Sequence, residues 1–184
     1  MKSKINNNVI TLKNGQLLTI RPTQESDTKE LLEYVRDVSG ETDFLTFGPD
    51  EYGLSIEDQA KHIKQTNRNK NSISLIGCVG DKIIATLYFE NGPRKRISHV
   101  GELGVTVTRS YWRQGVGFSI INVFLKWAVN TNHIRQVNAR IHEDNDRSQK
   151  LCKKLGFKKY GNLERSFLID GTFYNAVIMG INID

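Results

Sequence analysis

The sequence predicts a single mixed α/β domain of the α+β type, a mostly antiparallel sheet of about seven strands flanked by about four helices. Three observations predict it. Short apolar runs that alternate with polar residues are punctuated by glycine, asparagine and aspartate, as in strands joined by hairpins. Other segments repeat apolar residues at helical spacing. One strand–turn–helix–strand unit, within residues 102–141, supplies the crossover that a parallel strand pair needs. Three prolines and no low-complexity linker interrupt 184 residues, so 1–184 is expected to form one domain, with residues 1–8 flexible.

The elements follow in the order β-α-α-β-β-β-α-β-α-β-β when the opening hairpin counts once. That hairpin joins residues 9–12 and 17–20 through Asn14-Gly15, both of which tolerate positive φ. Pro22 ends it, and Thr23 or Ser26 is placed to cap a helix carrying Leu31, Leu32, Tyr34 and Val35. Ser55 opens a second helix to about residue 67. Strands 72–79 and 82–90 turn at Gly80-Asp81, and strand character resumes over 97–108. Ile120, Ile121, Phe124, Leu125 and Ala128 recur at helical spacing, and 136–141 reads as a strand. Ser148, Leu151, Cys152 and Leu155 share one face of a short helix that Gly156 stops. Residues 163–169 and 173–181 close the chain as a hairpin turning at Asp170-Gly171.

Composition excludes some functions. No apolar run approaches the roughly 20 residues that span a bilayer. Charged Met1 to Asn8 has no apolar stretch behind it, so it is no signal peptide, and the protein is expected to be cytoplasmic. Cys78 and Cys152 have neither disulfide density nor metal spacing. His62, His99, His133 and His142 are scattered, so each is expected on the surface or in packing, and no metal is expected. The net charge of +6 fits a solvated basic surface or a polyanionic partner. Arg94-Lys95-Arg96 is a compact basic patch but lacks the interleaved aromatics of a single-strand binder, which makes nucleic acid the lesser reading.

The run Tyr111-Trp112-Arg113-Gln114-Gly115-Val116-Gly117-Phe118 is the most informative. It joins a strand to a helix. Two glycines let backbone approach a ligand closely, and the helix start presents free N–H groups and the positive end of its dipole. That combination binds phosphate. It is no triphosphate loop, because no Gly-Lys-Ser/Thr follows, and a dinucleotide fingerprint would need a third glycine at Ile120.

The strand Leu103-Gly104-Val105-Thr106-Val107, this turn and the helix after it resemble the acyl-CoA motif of the GNAT superfamily of N-acyltransferases. Asn145-Asp146-Arg147-Ser148 and Lys153-Lys154-Leu155-Gly156-Phe157 resemble its Asn-x-x-Ala…Lys-Leu-Gly-Phe segment, and Asp170-Gly171-x-x-Tyr174 resembles the tail of its bacterial members. The resemblance covers about 80 residues in order and spacing. It implies that strands 103–107 and 137–141 run parallel and then splay into a coenzyme cleft. Acetyl-CoA would lay its pantetheine on the backbone of Val105, Thr106 and Val107. Its pyrophosphate would sit on Gln114, Gly115, Val116, Gly117 and Phe118, with a charge-assisted contact from Arg113. Asn145 would contact the coenzyme arm beside Ser148, while also serving as a helix N-cap.

The implied reaction moves acetyl to a primary amine by direct attack in a ternary complex. It needs a base for the amine, an oxyanion donor and a proton for sulfur. Glu102 is the candidate base and the Val105 N–H the candidate oxyanion donor. Cys152 stands where tyrosine is frequent, either as a thiol acid or as a small packing residue; Tyr174 and Tyr160 are other candidates. Trp112 stands where arginine or glutamine is common. The acceptor is expected near residues 40–48, where Glu41, Asp43, Phe44 and Phe47 would suit a cationic amine, with Tyr174 nearby. It would be a small molecule or a protein. Two other readings are a non-catalytic acyl-CoA-binding module and a nucleic-acid-binding domain. A homodimer through the closing hairpin is a further expectation.

Overall fold

The computed structural model describes residues 5–49 and 51–184; Met1 to Lys4, half of the stretch expected to be flexible, lie outside them. Eight strands form one sheet: β1 (Asn8–Thr11), β2 (Leu17–Pro22), β3 (Ile73–Val79), β4 (Lys82–Asn91), β5 (Val100–Val107), β6 (Gln136–His142), β7 (Lys158–Ile169) and β8 (Thr172–Asn182). Their spatial order is β1-β2-β3-β4-β5-β6-β8-β7. Every neighbouring pair is antiparallel except β5 with β6. The expected mixed α/β architecture is therefore present, with the opening hairpin resolved into two strands. The helices are α1 (Thr28–Ser39), α2 (Ile56–Arg68), α3 (Val116–Asn130) and α4 (Asp146–Lys154).

Two apolar clusters hold the layers. On one face α3 and α4 pack Ile120, Phe124, Trp127 and Cys152 against Leu87, Phe89, Leu103 and Val137. There Phe89, Phe124 and Trp127 meet with ring centroids 5.0–6.2 Å apart, the range in which tilted aromatic pairs attract. On the other face α1 and α2 set Leu31, Tyr34, Val35 and Ile63 over Ile76, Cys78 and Ile83.

Local chemistry shifts several boundaries. A 3-10 turn at Glu25–Asp27 precedes α1, because Asp27 rather than Thr23 or Ser26 organises the entry. The Asp27 carboxylate accepts from the Gln24 N–H at 2.7 Å and takes both Arg21 guanidinium nitrogens at 2.7 Å. Burial alone would raise its pKa, but the Arg21 and Gln24 hydrogen bonds outweigh burial and hold the carboxyl below its ordinary value. Thr23 is instead buried against the Ser74 hydroxyl. Ser55 does cap α2, accepting from the Asp58 N–H. The turn at Asp170-Gly171 has positive φ at both residues, 47° and 77°, as a two-residue hairpin turn requires. At Asn14-Gly15 only the glycine is left-handed, within a longer loop closed by Leu12 on Gln16. β7 starts at Lys158, earlier than expected, and its irregular pairing between Leu163 and Phe167 obscures the alternation there.

The β5–β6 pair is short. Its register runs Val100↔Gln136, Gly101↔Val137, Glu102↔Asn138 and stops. β5 continues beside β4 as far as Val107, and β6 beside β8 as far as His142. Gly101 permits the tight start of the fork: a Cβ there would lie 2.3 Å from Phe89 and 2.4 Å from the Glu90 carbonyl.

Candidate active site

Beyond Glu102 and Asn138 the two strands diverge, and the gap opens into a cleft of about 1180 Å³. Antiparallel ladders alternate, and Thr108 donates to Ile84, so the even residues of β5 direct their backbone groups at β4. The odd residues, Leu103, Val105 and Val107, direct theirs across the gap. A free peptide edge therefore faces the cleft at Val105. Thr106 also lines the cleft, but its hydroxyl is engaged by Tyr34 at 2.8 Å and Thr86 at 2.7 Å. Burial pushes the Tyr34 phenol far above its ordinary pKa, so it stays a neutral donor.

The Val107 carbonyl is taken by the Trp112 indole N–H at 2.7 Å, which ties the turn to the strand end. The Arg109 and Arg147 guanidiniums lie 5.5 and 5.2 Å from the Trp112 ring. Backbone curvature comes from positive φ at Arg113 (63°) and Gly115 (95°). Gly115 is the N-cap of α3 and no side chain caps that helix, so its first-turn N–H groups are left for a ligand. A Cβ at Gly115 or Gly104 would meet nothing within 4 Å, which is space left beside the backbone. Gln114 Oε1, also in this turn, is buried without a partner. Lys13, Arg113, Arg147 and Lys154 line the cleft and supply positive charge. A pyrophosphate fits this donor set, and the gap beside Val105 fits an extended amide arm.

Asn145 caps α4, accepting from the Ser148 N–H at 3.1 Å, and both residues line the cleft. Cys152 lines it too, 3% exposed, and burial raises its thiol pKa to about 11. A thiol that holds its proton so tightly gives it up uphill to a leaving thiolate of ordinary pKa. Glu102 stands at the fork but is not among the lining residues. It is half exposed and meets the Arg140 guanidinium at 3.5 Å.

The acceptor side differs most from expectation. Of the residues assigned to it, Phe44 and Phe47 line the cleft; Glu41, Asp43 and Tyr174 do not. The Glu41 carboxylate accepts from the Arg109 N–H at 2.6 Å, and its carbonyl takes the Arg109 guanidinium. Asp43 is exposed. Tyr174 and Phe44 instead pack on His142, at 4.9 and 5.3 Å between ring centroids. Tyr160 is exposed and donates to Asn182. His142, expected on the surface or in packing, is buried among aromatic rings, and Arg140, which no sequence motif singles out, borders the cleft. Their shared parity on β6 is the signal that places them on one face, with Asn138. Among the described residues no group of three or more His, Cys, Asp or Glu is gathered to hold a metal, and no helix is long and apolar enough to cross a membrane.

The same architecture is found in known proteins. The acetyltransferase of the GNAT family from Streptococcus pneumoniae superposes with a TM-score of 0.87 at 27% identity, covering 91% of this chain and 99% of that one. YncA from Salmonella typhimurium, solved with its cofactor acetyl-CoA, superposes at 0.80 with 15% identity, over 91% of this chain and 94% of that one. The uncharacterized N-acetyltransferase YoaA of Bacillus subtilis (strain 168) is 24% identical over 181 residues, 87% of this chain and 96% of YoaA. The profile of the Acetyltransferase (GNAT) domain matches residues 18–158, from β2 through the splayed pair and the phosphate-type turn to the first residue of β7. With the fork, the uncapped helix start and that match in one chain, the protein belongs to the GNAT acetyltransferase family.

Proposed function

We propose that the protein transfers acetyl from acetyl-CoA to a primary amine by direct attack within a ternary complex. The observation that carries this is the splayed β5–β6 fork opening onto the uncapped N-terminus of α3. Acetyl-CoA bound there supplies a thioester acetyl group. The Val105 backbone holds the arm, and the N–H groups of residues 115–118, with Arg113, hold the pyrophosphate, the Gln114 N–H being taken by the Tyr111 carbonyl. Asn145 and Ser148 border the arm from α4. Glu102 takes the amine proton, directly or through a water at the fork, with Arg140 orienting its carboxylate. The Val105 N–H serves the oxyanion. Cys152 acts as a packing residue, and solvent supplies the proton for sulfur. Self-association through the edge strand β7, whose Leu163 and Leu168 are exposed beside Phe173, and a cytoplasmic setting belong to the same reading.

A non-catalytic coenzyme-binding module is the second reading, favoured by the exposed position of Glu102 and the tightly held Cys152 proton. Thermal unfolding with acetyl-CoA and with coenzyme A tests the site. At about 100-fold over Kd the ligand adds about 2.7 kcal/mol, a rise of roughly 2–4 °C per kcal/mol. No rise with either ligand sinks the proposal. Glu102→Gln then separates the two readings: an enzyme loses about a hundredfold in turnover at neutral pH while coenzyme binding persists, and the loss eases as the amine deprotonates itself. A rate unchanged at every pH removes Glu102 from the mechanism. The basic tip Arg94-Lys95-Arg96 lies outside the cleft lining, so nucleic acid is expected neither to bind tightly nor to compete with coenzyme A.

A further inference from the structure

One buried donor, packed against the cleft-lining Phe44 but itself outside the lining, has no partner. His142, the last residue of β6, is 3% exposed. Its Nδ1 accepts the Asp144 N–H at 3.2 Å, which places the proton of the neutral ring on Nε2. That Nε2–H is buried and makes no hydrogen bond. Buried polar groups are nearly always satisfied, so an orphan of this kind calls for an explanation.

Its surroundings supply one. Phe44, Phe167 and Tyr174 stand round the ring, at 5.3, 5.0 and 4.9 Å. The frame behind it is fixed: Asn175 donates its N–H and its amide to the Glu143 carboxylate at 2.6 and 3.0 Å, and the Glu143 N–H donates to the Asn175 carbonyl. Phe44 belongs to the irregular segment between α1 and α2, is half-buried, and borders the cleft. Arg140, two residues before His142 on the same strand face, borders it as well. The charged groups among the described lining residues are Lys13, Arg113, Arg140, Arg147 and Lys154, with no carboxylate among them.

We infer that His142 is a specificity-determining residue for the acceptor. When Phe44 moves aside, the His142 Nε2–H, with Arg140 beside it, donates to a carbonyl or carboxylate oxygen next to the acceptor's amine. The acceptor class is thus an α-amino acid or a peptide-like amine. The inference rests on the acetyltransferase reading above.

Phenylalaninamide and phenethylamine share an aromatic body and differ by the carboxamide, so they test it, with released thiol as the readout. The amide's α-amine has the lower pKa and gains from that in every enzyme form. The informative quantity is therefore the preference ratio in kcat/KM, compared between wild type and His142→Phe. His142→Phe keeps a buried ring and removes the donor. It is expected to cut the ratio about tenfold, through the KM of the amide, while the Tm and the coenzyme A shift persist. His142→Gln, which retains a donor, keeps more than half of the ratio; it also serves if the phenylalanine variant does not fold. An unchanged ratio in His142→Phe overturns the inference, as does use of neither amine by wild type whose Tm coenzyme A still raises. If coenzyme A raises no Tm, the acetyltransferase reading fails first and this inference falls with it.

Discussion

At the coenzyme end proposed above, the cleft presents mainly backbone from one stretch, residues 103–118, whereas at the proposed acceptor end it presents side chains from separate elements: Phe44 after α1 and Arg140 on β6, with His142 packed on Phe44 and Tyr174 on His142 outside the lining. A peptide edge and a helix start bind through groups that every residue carries. Such a site depends on where the chain turns and on which positions lack a Cβ. The acceptor end depends on which side chains tertiary packing brings together, and small changes there redirect it. One end can stay constant while the other varies, which is how one fold serves many substrates.

Unlinking the two ends is the strongest way to test that contrast. Asp27 anchors the start of α1, whose Leu31, Val35 and Val38 line the cleft on the side proposed for the acceptor, and its own partners are Arg21 and Gln24, outside the turn at 111–118. Asp27→Asn leaves Arg21 partly buried without its carboxylate and is expected to cost about 3 kcal/mol, read by urea unfolding. The acceptor KM rises, while the Kd for coenzyme A, read on the folded fraction, stays put. The sign of the pH dependence follows from the lowered carboxyl pKa. Stability from Asp27 is present above the ordinary aspartate value of about 3.9 and is lost as pH falls through the lower folded value. The gap between wild type and variant therefore closes in acid. A coenzyme Kd that moves in step with the acceptor KM would mean that the two ends are not separable.

The converse change acts on the coenzyme end. Gly115 holds φ 95° with open space where a Cβ would point. Gly115→Val forces a β-branched residue into the left-handed region and fills the space beside the first N–H groups of α3. We expect about a hundredfold weaker binding of coenzyme A, near 2.7 kcal/mol, by calorimetry. Because that space is at the surface of the turn, the stability cost is the backbone strain alone, about 1–2 kcal/mol. Retained affinity would show that the turn does not hold the phosphates.

The contrast also explains what was legible in the sequence. Elements showed themselves where one period dominated: α3 in its 120/121/124/128 spacing, β6 in its alternation, and the turn through its paired glycines. The splay itself came only from the resemblance, because where a strand pair stops depends on both strands and the helices over them. Glu41 and Asp43 looked like acceptor ligands because acidic residues beside aromatics suit an amine. Nothing in their local sequence announces Arg109, 68 residues away, as the partner of Glu41. His142 was one of four scattered histidines, and only tertiary packing sets it among Phe44, Phe167 and Tyr174. Cys152 follows the same rule, since its burial, and hence its tightly held proton, comes from the neighbours of α4.

The smallest expected effect is at Glu41. Its carboxylate is already occupied by the Arg109 N–H at 2.6 Å, and it lies outside the cleft lining. A carboxylate in that state has little to offer an incoming ammonium unless the loop reorganises first. Glu41→Gln keeps an oxygen that can accept from the same N–H, so the loop stays anchored while the negative charge is removed. The acceptor kcat/KM should then change by less than about twofold, because the difference is one partly exposed charge worth at most about 1 kcal/mol to its Arg109 partner. A tenfold loss confined to cationic acceptors would instead place Glu41 in direct contact with the amine. The acceptor end would then be read by an acidic loop that swings in, and the donor-lined face of Arg140 and His142 would lose its claim to the substrate.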